Sequence, residues 1–244
     1  MWYKSKSRLL ILCLFGASLF VQASAFTTLE KWTHNESPIE IAKAHSQDIM
    51  SQLIALAQEE ENARLYSILQ TTQMVFSDEM DATDIAFSSI DQNRLISISS
   101  AYVDVLASFI LEHLQPKHEQ AFQTIFVNAL SDVILHEIGH HALDAFYNDY
   151  TPPTYISMFE EEAQDWAEQI KLEIMFDFEG FGRIVSLTAL LAYTSSYPEL
   201  SWHVTALGHK VDNECHRATH IIAEQICTSL VQDGAFITTE SSAY

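Results

Sequence analysis

The stretch Val133-Ile134-Leu135-His136-Glu137-Ile138-Gly139-His140-His141-Ala142 decides how this chain is read. It carries His-Glu-x-x-His inside an apolar run. On a helix, residues four apart share a face, so His136 and His140 can hold one metal ion together. Glu137 projects beside them, placed to take a proton from a metal-activated water. The flanking residues Val133, Ile134, Leu135, Ile138, Gly139 and Ala142 predict a buried helix, and two buried histidines need a reason. The alternative is a pair of satisfied core histidines. His141 points about 100° away from the second ligand and is expected to pack or support, not to ligate.

A third ligand is expected downstream. Pro152 and Pro153 end the helix, because proline cannot continue it. Phe159-Glu160-Glu161-Glu162-Ala163-Gln164-Asp165-Trp166-Ala167 then predicts a second helix that brings a carboxylate back. Glu161 and Asp165 are four apart. In that arrangement Glu161 binds zinc, and Asp165 accepts the other ring N–H of a ligand histidine, His136, fixing its tautomer. The strongest apolar face is Phe159, Ala163, Trp166, Ala167, Ile170 and Ile174, roughly opposite Glu161 and Asp165. Glu160 and Glu162 therefore stay open as alternatives. Three glutamates in a row are also what a solvated helix N-terminus carries.

From His136 to Asp165 the chain resembles the gluzincin type of zinc metallopeptidase. More narrowly, HEIGHHALDAF followed by EEEAQDWAEQ is similar to a family of bacterial exported metallopeptidases with an HE-x-GHA motif and an EED-AAD motif. Glu162 and Gln164 stand where that pattern has aspartate and alanine. Ile85 to Ile98 is similar to the strand pair before the active-site helix in small gluzincins. The resemblance implies a zincin-like domain, one zinc ion per chain and a peptide or protein substrate. It also implies that the second strand, Leu95 to Ile98, is the edge that aligns the substrate. His209, Arg217 and Cys227 loosely echo the family's C-terminal pattern.

The N-terminus predicts export. Lys4, Lys6 and Arg8 precede the apolar run Leu9 to Phe20, and Ala23-Ser24-Ala25 ends in an Ala-x-Ala cleavage site. Residues 1–25 therefore read as a signal peptide and residues 26–244 as a single domain, periplasmic or secreted. No stable membrane anchor is expected after cleavage, since the run is short for a bilayer span. Cleavage takes away three basic residues and no acidic one, so the formal charge moves from −21 to about −24. Nucleic acid is excluded as a partner by that charge. Cys215 and Cys227 remain as an even pair. They can form a disulfide, stay as two buried thiols, or join His216 and His220 in a metal site. On one straight helix they would lie about 18 Å apart, so a bond requires a turn between them.

The rest predicts a mostly helical α+β domain with a small antiparallel sheet. Ser37-Pro38-Ile39-Glu40 opens a helix through Leu56 toward Leu69, with Glu59, Glu60 and Glu61 solvated. Gln73–Phe76 predicts a strand and Asp84–Ser99 a strand pair. Ala101–Leu114, Glu119 to about Tyr147, Ile184–Tyr193 and Asn213–Val231 predict helices, with a turn at Gly180 and Gly182. Tyr193, Tyr197, His203, His209, His216, Arg217 and His220 are candidates for a second electrophile. The expected activity is zinc-dependent peptide hydrolysis with Glu137 as general base. An inactive zincin-like metal- or partner-binding protein and a metal-dependent hydrolase of other substrates are the alternatives.

Overall fold

The computed structural model describes residues 37–89, 94–117, 119–146, 150–174, 181–197, 201–217 and 226–228. The expected signal peptide lies outside them. The first helix, α1 (Pro38–Glu59), starts as expected, with Pro38 at its first turn and the Ser37 hydroxyl accepting from the Glu40 N–H. It does not run on to Leu69. Glu61 adopts a left-handed conformation (φ 54), and Asn62 caps a separate helix, α2 (Ala63–Thr71). The glutamates Glu59 to Glu61 are exposed at this joint.

Three strands follow: β1 (Thr72–Ser77), β2 (Ala86–Ser89) and β3 (Arg94–Ser99). The order is β1-β3-β2, with β3 parallel to β1 and antiparallel to β2. The sheet is therefore mixed, not purely antiparallel. Strand β3 is central, so Leu95–Ile98 is not the free edge that was expected. It is hydrogen-bonded on both sides, to β1 and to β2, while its fully buried Ile96 and Ile98 face the core. Among the described residues β2 is paired on one side only.

Helix α3 (Ser100–Phe109) runs into a π-helical turn over Ile110–Leu114 and ends at Gln115, which is left-handed. The remaining helices are α4 (Glu119–Leu143), α5 (Pro153–Ile174), α6 (Phe181–Ser195) and α7 (Ser201–Arg217). Helix α7 starts twelve residues before Asn213, and Pro153 sits inside the first turn of α5, where its missing N–H costs nothing. Helix α4 is the axis of the core. Phe122, Phe126, Leu130, Ile134 and Ile138 are wholly buried along it. Both α5 and α6 pack on α4, and each approach is made close by a glycine. A Cβ on Gly139 would stand 2.7 Å from the Ala163 carbonyl oxygen of α5. A Cβ on Gly182 would stand 2.5 Å from the Asn128 carbonyl oxygen of α4. Gly182 is thus a packing glycine inside α6, not a turn residue; Gly180 lies outside the described residues.

Candidate metal centre

Helix α4 places His136 and His140 one turn apart, their rings meeting edge to face at 4.9 Å. Each ring is fixed through Nδ1. The His140 Nδ1–H donates to the Ala145 carbonyl at 2.8 Å, and the His136 Nδ1–H donates to the Gln164 Oε1 at 3.2 Å. Both Nε2 atoms are then left with their lone pairs facing one another, 3.2 Å apart. The Gln164 amide is itself oriented, since its Nε2 donates to Glu168 at 3.2 Å.

The carboxylate that meets these nitrogens is Glu160. Its oxygens lie 3.2 Å from His136 Nε2 and 3.5 Å from His140 Nε2. His136, His140 and Glu160 form the one group of three such side chains among the described residues whose donor atoms converge for a metal ion. The separations fit the ion expected. Zinc bonds of about 2.0–2.1 Å in tetrahedral array put ligand atoms about 3.3 Å apart. Two neutral imidazoles and one carboxylate are also the donor set zinc takes.

Glu161 is exposed on the rim of the same cleft and does not join this group. Asp165 is exposed beside it, and Gln164 stands on His136 in its place. The whole frame is one residue earlier than expected, a 100° rotation of α5. The reason is which face of α5 is buried: Ala163, Gln164, Ala167, Ile170 and Lys171 turn inward. Glu160 lies one turn before Ala163 on that face, while Glu161, Glu162 and Asp165 turn outward.

The turn after α4 takes part as well. Asp144 is left-handed (φ 53), its N–H pointing to the His141 carbonyl, and the Ala145 N–H bonds the His140 carbonyl at 2.9 Å. This is a Schellman closure with aspartate in the glycine position. Arg64 of α2 and Arg94 of β3 both hold the Asp144 carboxylate, at 2.8 and 3.1 Å. The closure brings the Ala145 carbonyl onto His140. His141 is wholly buried, its Nε2 without a hydrogen-bond partner, and burial lowers its pKa to about 4. It packs edge-on against Phe146 and is not a ligand.

The site opens into a cleft of about 850 Å³. Strand β2 forms one wall through Ala86, Phe87 and Ser88, and the Ser88 hydroxyl donates to the Glu137 carbonyl at 3.0 Å. Phe87 is 61% exposed. Glu137 lines the cleft yet is buried, and burial raises its pKa against the opposing pull of the two histidines. Burial would lower the pKa of His136, but the hydrogen bond to Glu160 and the charges of Glu137 and Glu160 together lift it above its ordinary value.

None of the described candidates for a second electrophile lines the cleft. Tyr193 and Tyr197 pack on one another, and His209 and His216 are exposed. His220 and the side chains of His203 and Arg217 lie outside the described residues. The cations that do line the cleft are Arg183 of α6 and Lys210 of α7, neither singled out from sequence. Cys215 and Cys227 are joined in a disulfide, which removes both the free-thiol reading and the Cys/His metal site. No protein-family model, curated protein or solved structure matches this chain.

Proposed function

We propose that this protein is a zinc-dependent peptidase of gluzincin type, with His136, His140 and Glu160 holding the metal and Glu137 as general base. The observation that carries the reading is the convergence of three donor atoms at 3.2, 3.2 and 3.5 Å with both histidine tautomers fixed. Zinc bound there supplies a Lewis acid and an acidified water to the cleft.

The chain's own groups supply the rest. Glu137 lines the cleft beside the ligands, placed to take a proton and return it to a leaving amine. Gln164 and the Ala145 carbonyl keep the ligand rings from turning. Strand β2, which pairs only with β3 among the described residues, lines the cleft and offers an edge that suits an extended peptide. The substrate-aligning edge thus passes from β3 to β2. Export is part of the proposal: a disulfide persists in an oxidising compartment, in keeping with the signal sequence. No helix among the described residues is long and apolar enough to cross a membrane.

The test is zinc content and peptide cleavage for the wild type beside Glu160→Ala, Glu161→Ala and Glu137→Gln. About one zinc per chain is expected in the wild type. Glu160→Ala should lose it, Glu161→Ala should keep it, and Glu137→Gln should keep the metal while losing cleavage. Zinc lost from Glu161→Ala and retained by Glu160→Ala would overturn the assignment.

A further inference from the structure

The chain has 12 lysines and arginines against 33 acidic residues. Two of those few cations, Arg183 and Lys210, line the cleft that holds the candidate metal centre. They come from different helices, α6 and α7. Glu214, buried on α7, lies 2.8 Å from Arg183 Nε. It stands one turn beyond Lys210, so both face the same way. The Nε–H is not aimed at that carboxylate and has no hydrogen-bond partner, so the contact is an ion pair that fixes the guanidinium without satisfying it. Lys210 is exposed at the cleft and makes no ion pair among the described residues. Arg183 thus faces one fixed carboxylate, and Lys210 stands one turn before that carboxylate on α7.

The cleft also carries carboxylates: Asp84, Asp132, Glu137, Glu160, Glu161 and Asp165. Asp132 is held by buried Lys171 at 3.4 Å, and Asp84 accepts from the Asp81 N–H. Glu160, Glu161 and Asp165 belong to α5, the wall that carries the metal ligand. Arg183 lines the same cleft as His136 and Glu137, so the cations share that space with the candidate metal centre.

We propose that Arg183 and Lys210 form a carboxylate-recognising subsite, and that the preferred substrate is a peptide carrying a carboxylate near the scissile bond. Arginine supplies the planar fork that matches a carboxylate, and lysine adds an unneutralised charge. The carboxylate comes from a free C-terminus or from an Asp or Glu side chain. The preference runs against the chain's overall charge, which alone would favour basic peptides. The inference rests on the peptidase reading for its substrate, but its binding test does not.

The test uses mixed-sequence pentapeptide libraries, prepared as free acids or as C-terminal amides. Two further amide libraries carry Glu or Gln at one fixed internal position. Affinities are measured on zinc-loaded Glu137→Gln protein, and cleavage on the wild type. Binding should favour the carboxylate form at least about tenfold, as a charge-assisted bidentate contact does. Preference for free acids identifies a C-terminal carboxylate, and preference for Glu over Gln identifies a side chain. In Lys210→Gln the preference should shrink, and in Lys210→Glu it should vanish or invert, with zinc content unchanged. Arg183→Gln should abolish it too, with Lys210→Glu as the decisive variant should the loss of the Glu214 ion pair prevent folding. A wild-type ratio near one, or a ratio that survives Lys210→Glu, would overturn the subsite. A tenfold ratio with no cleavage of any library would keep the subsite and remove the peptidase reading. Cleavage with a ratio of one would do the reverse.

Discussion

Gly139→Ala tests how the metal centre is assembled. The added methyl would meet three backbone atoms of Ala163, at 2.7 Å (oxygen), 3.1 Å (Cα) and 3.3 Å (carbonyl carbon). None of these can swing aside as a side chain would. An ordinary carbon–oxygen contact needs roughly 0.5 Å more, so α5 must retreat by about that distance. Ala163 lies one turn beyond Glu160 and directly before Gln164, so the retreat carries the third ligand and the His136 hydrogen-bond acceptor away together. Ligand distances tolerate about 0.2 Å. The displacement therefore exceeds what the site accepts, although the fold survives. Overpacking costs about 1–3 kcal/mol, or roughly 2–10 °C in Tm for a domain of this size. Thermal unfolding with and without zinc separates the two effects. The apo protein should melt a few degrees below wild type. Zinc should raise its Tm much less, because stabilisation by a ligand follows its affinity, and that affinity should fall at least about tenfold. Wild-type zinc affinity in Gly139→Ala would refute the argument that this close approach sets the ligand geometry.

Four further outcomes are expected. Gln164→Ala should weaken zinc binding by about 10–100-fold, measured by competition with a chelator, since it releases the His136 ring. Asp144→Ala should lower zinc affinity by about tenfold although Asp144 touches no ligand, because the Ala145 carbonyl that holds His140 depends on the turn Asp144 closes; an unchanged affinity would remove that role. Two buried histidines should make the metal-free protein lose stability on acidification, against the raised pKa values of His136 and Glu137, which act the other way. His45 and His141 have pKa values lowered by burial, so the unfolded chain binds the extra protons. Stability from these groups is fully present above about pH 6.5, falls as the pH drops below it, and for His141 is gone below about 4. His45→Gln should flatten part of that slope in urea titrations at several pH values. Reduction of Cys215–Cys227 should cost up to about 3 kcal/mol by freeing the loop it closes, read as a fall in Tm with dithiothreitol in the zinc-free protein.

Helix α4 was legible in the sequence because its His-Glu-x-x-His spacing and its apolar flanks point to the same buried element. The ligand glutamate was harder. Three consecutive glutamates differ only by 100° steps, and a small rotation of α5 chooses among them. The signal was nevertheless present: Ala163, Ala167 and Ile170 form the inward stripe, and Glu160 is the glutamate that extends it. Gln164, an amide in a run of charges, marks the same face. The sheet order could not be read, because strand order depends on contacts between segments far apart in sequence. Ile96 and Ile98 hinted at a central strand without naming its neighbours. Arg183 and Lys210 sit on different helices, so no local pattern links them. The break between α1 and α2 rests on the left-handed Glu61, a conformation its residue type does not advertise.

The three donor atoms of the metal centre lie on one helical hairpin, α4 and α5, between His136 and Glu160. The rest of the cleft is lined by residues 83–88 and by Arg183, Ser186, Leu187 and Lys210, among others. Contacts close in sequence form early and cheaply, while distant ones wait for the chain to close. Helices α4 and α5 are consecutive in the chain, so this hairpin is the local part of the site. It also makes chemistry and selectivity separately mutable. Substitutions in the walls, at Phe87 or Lys210, leave the His136, His140 and Glu160 donors on their own hairpin in place.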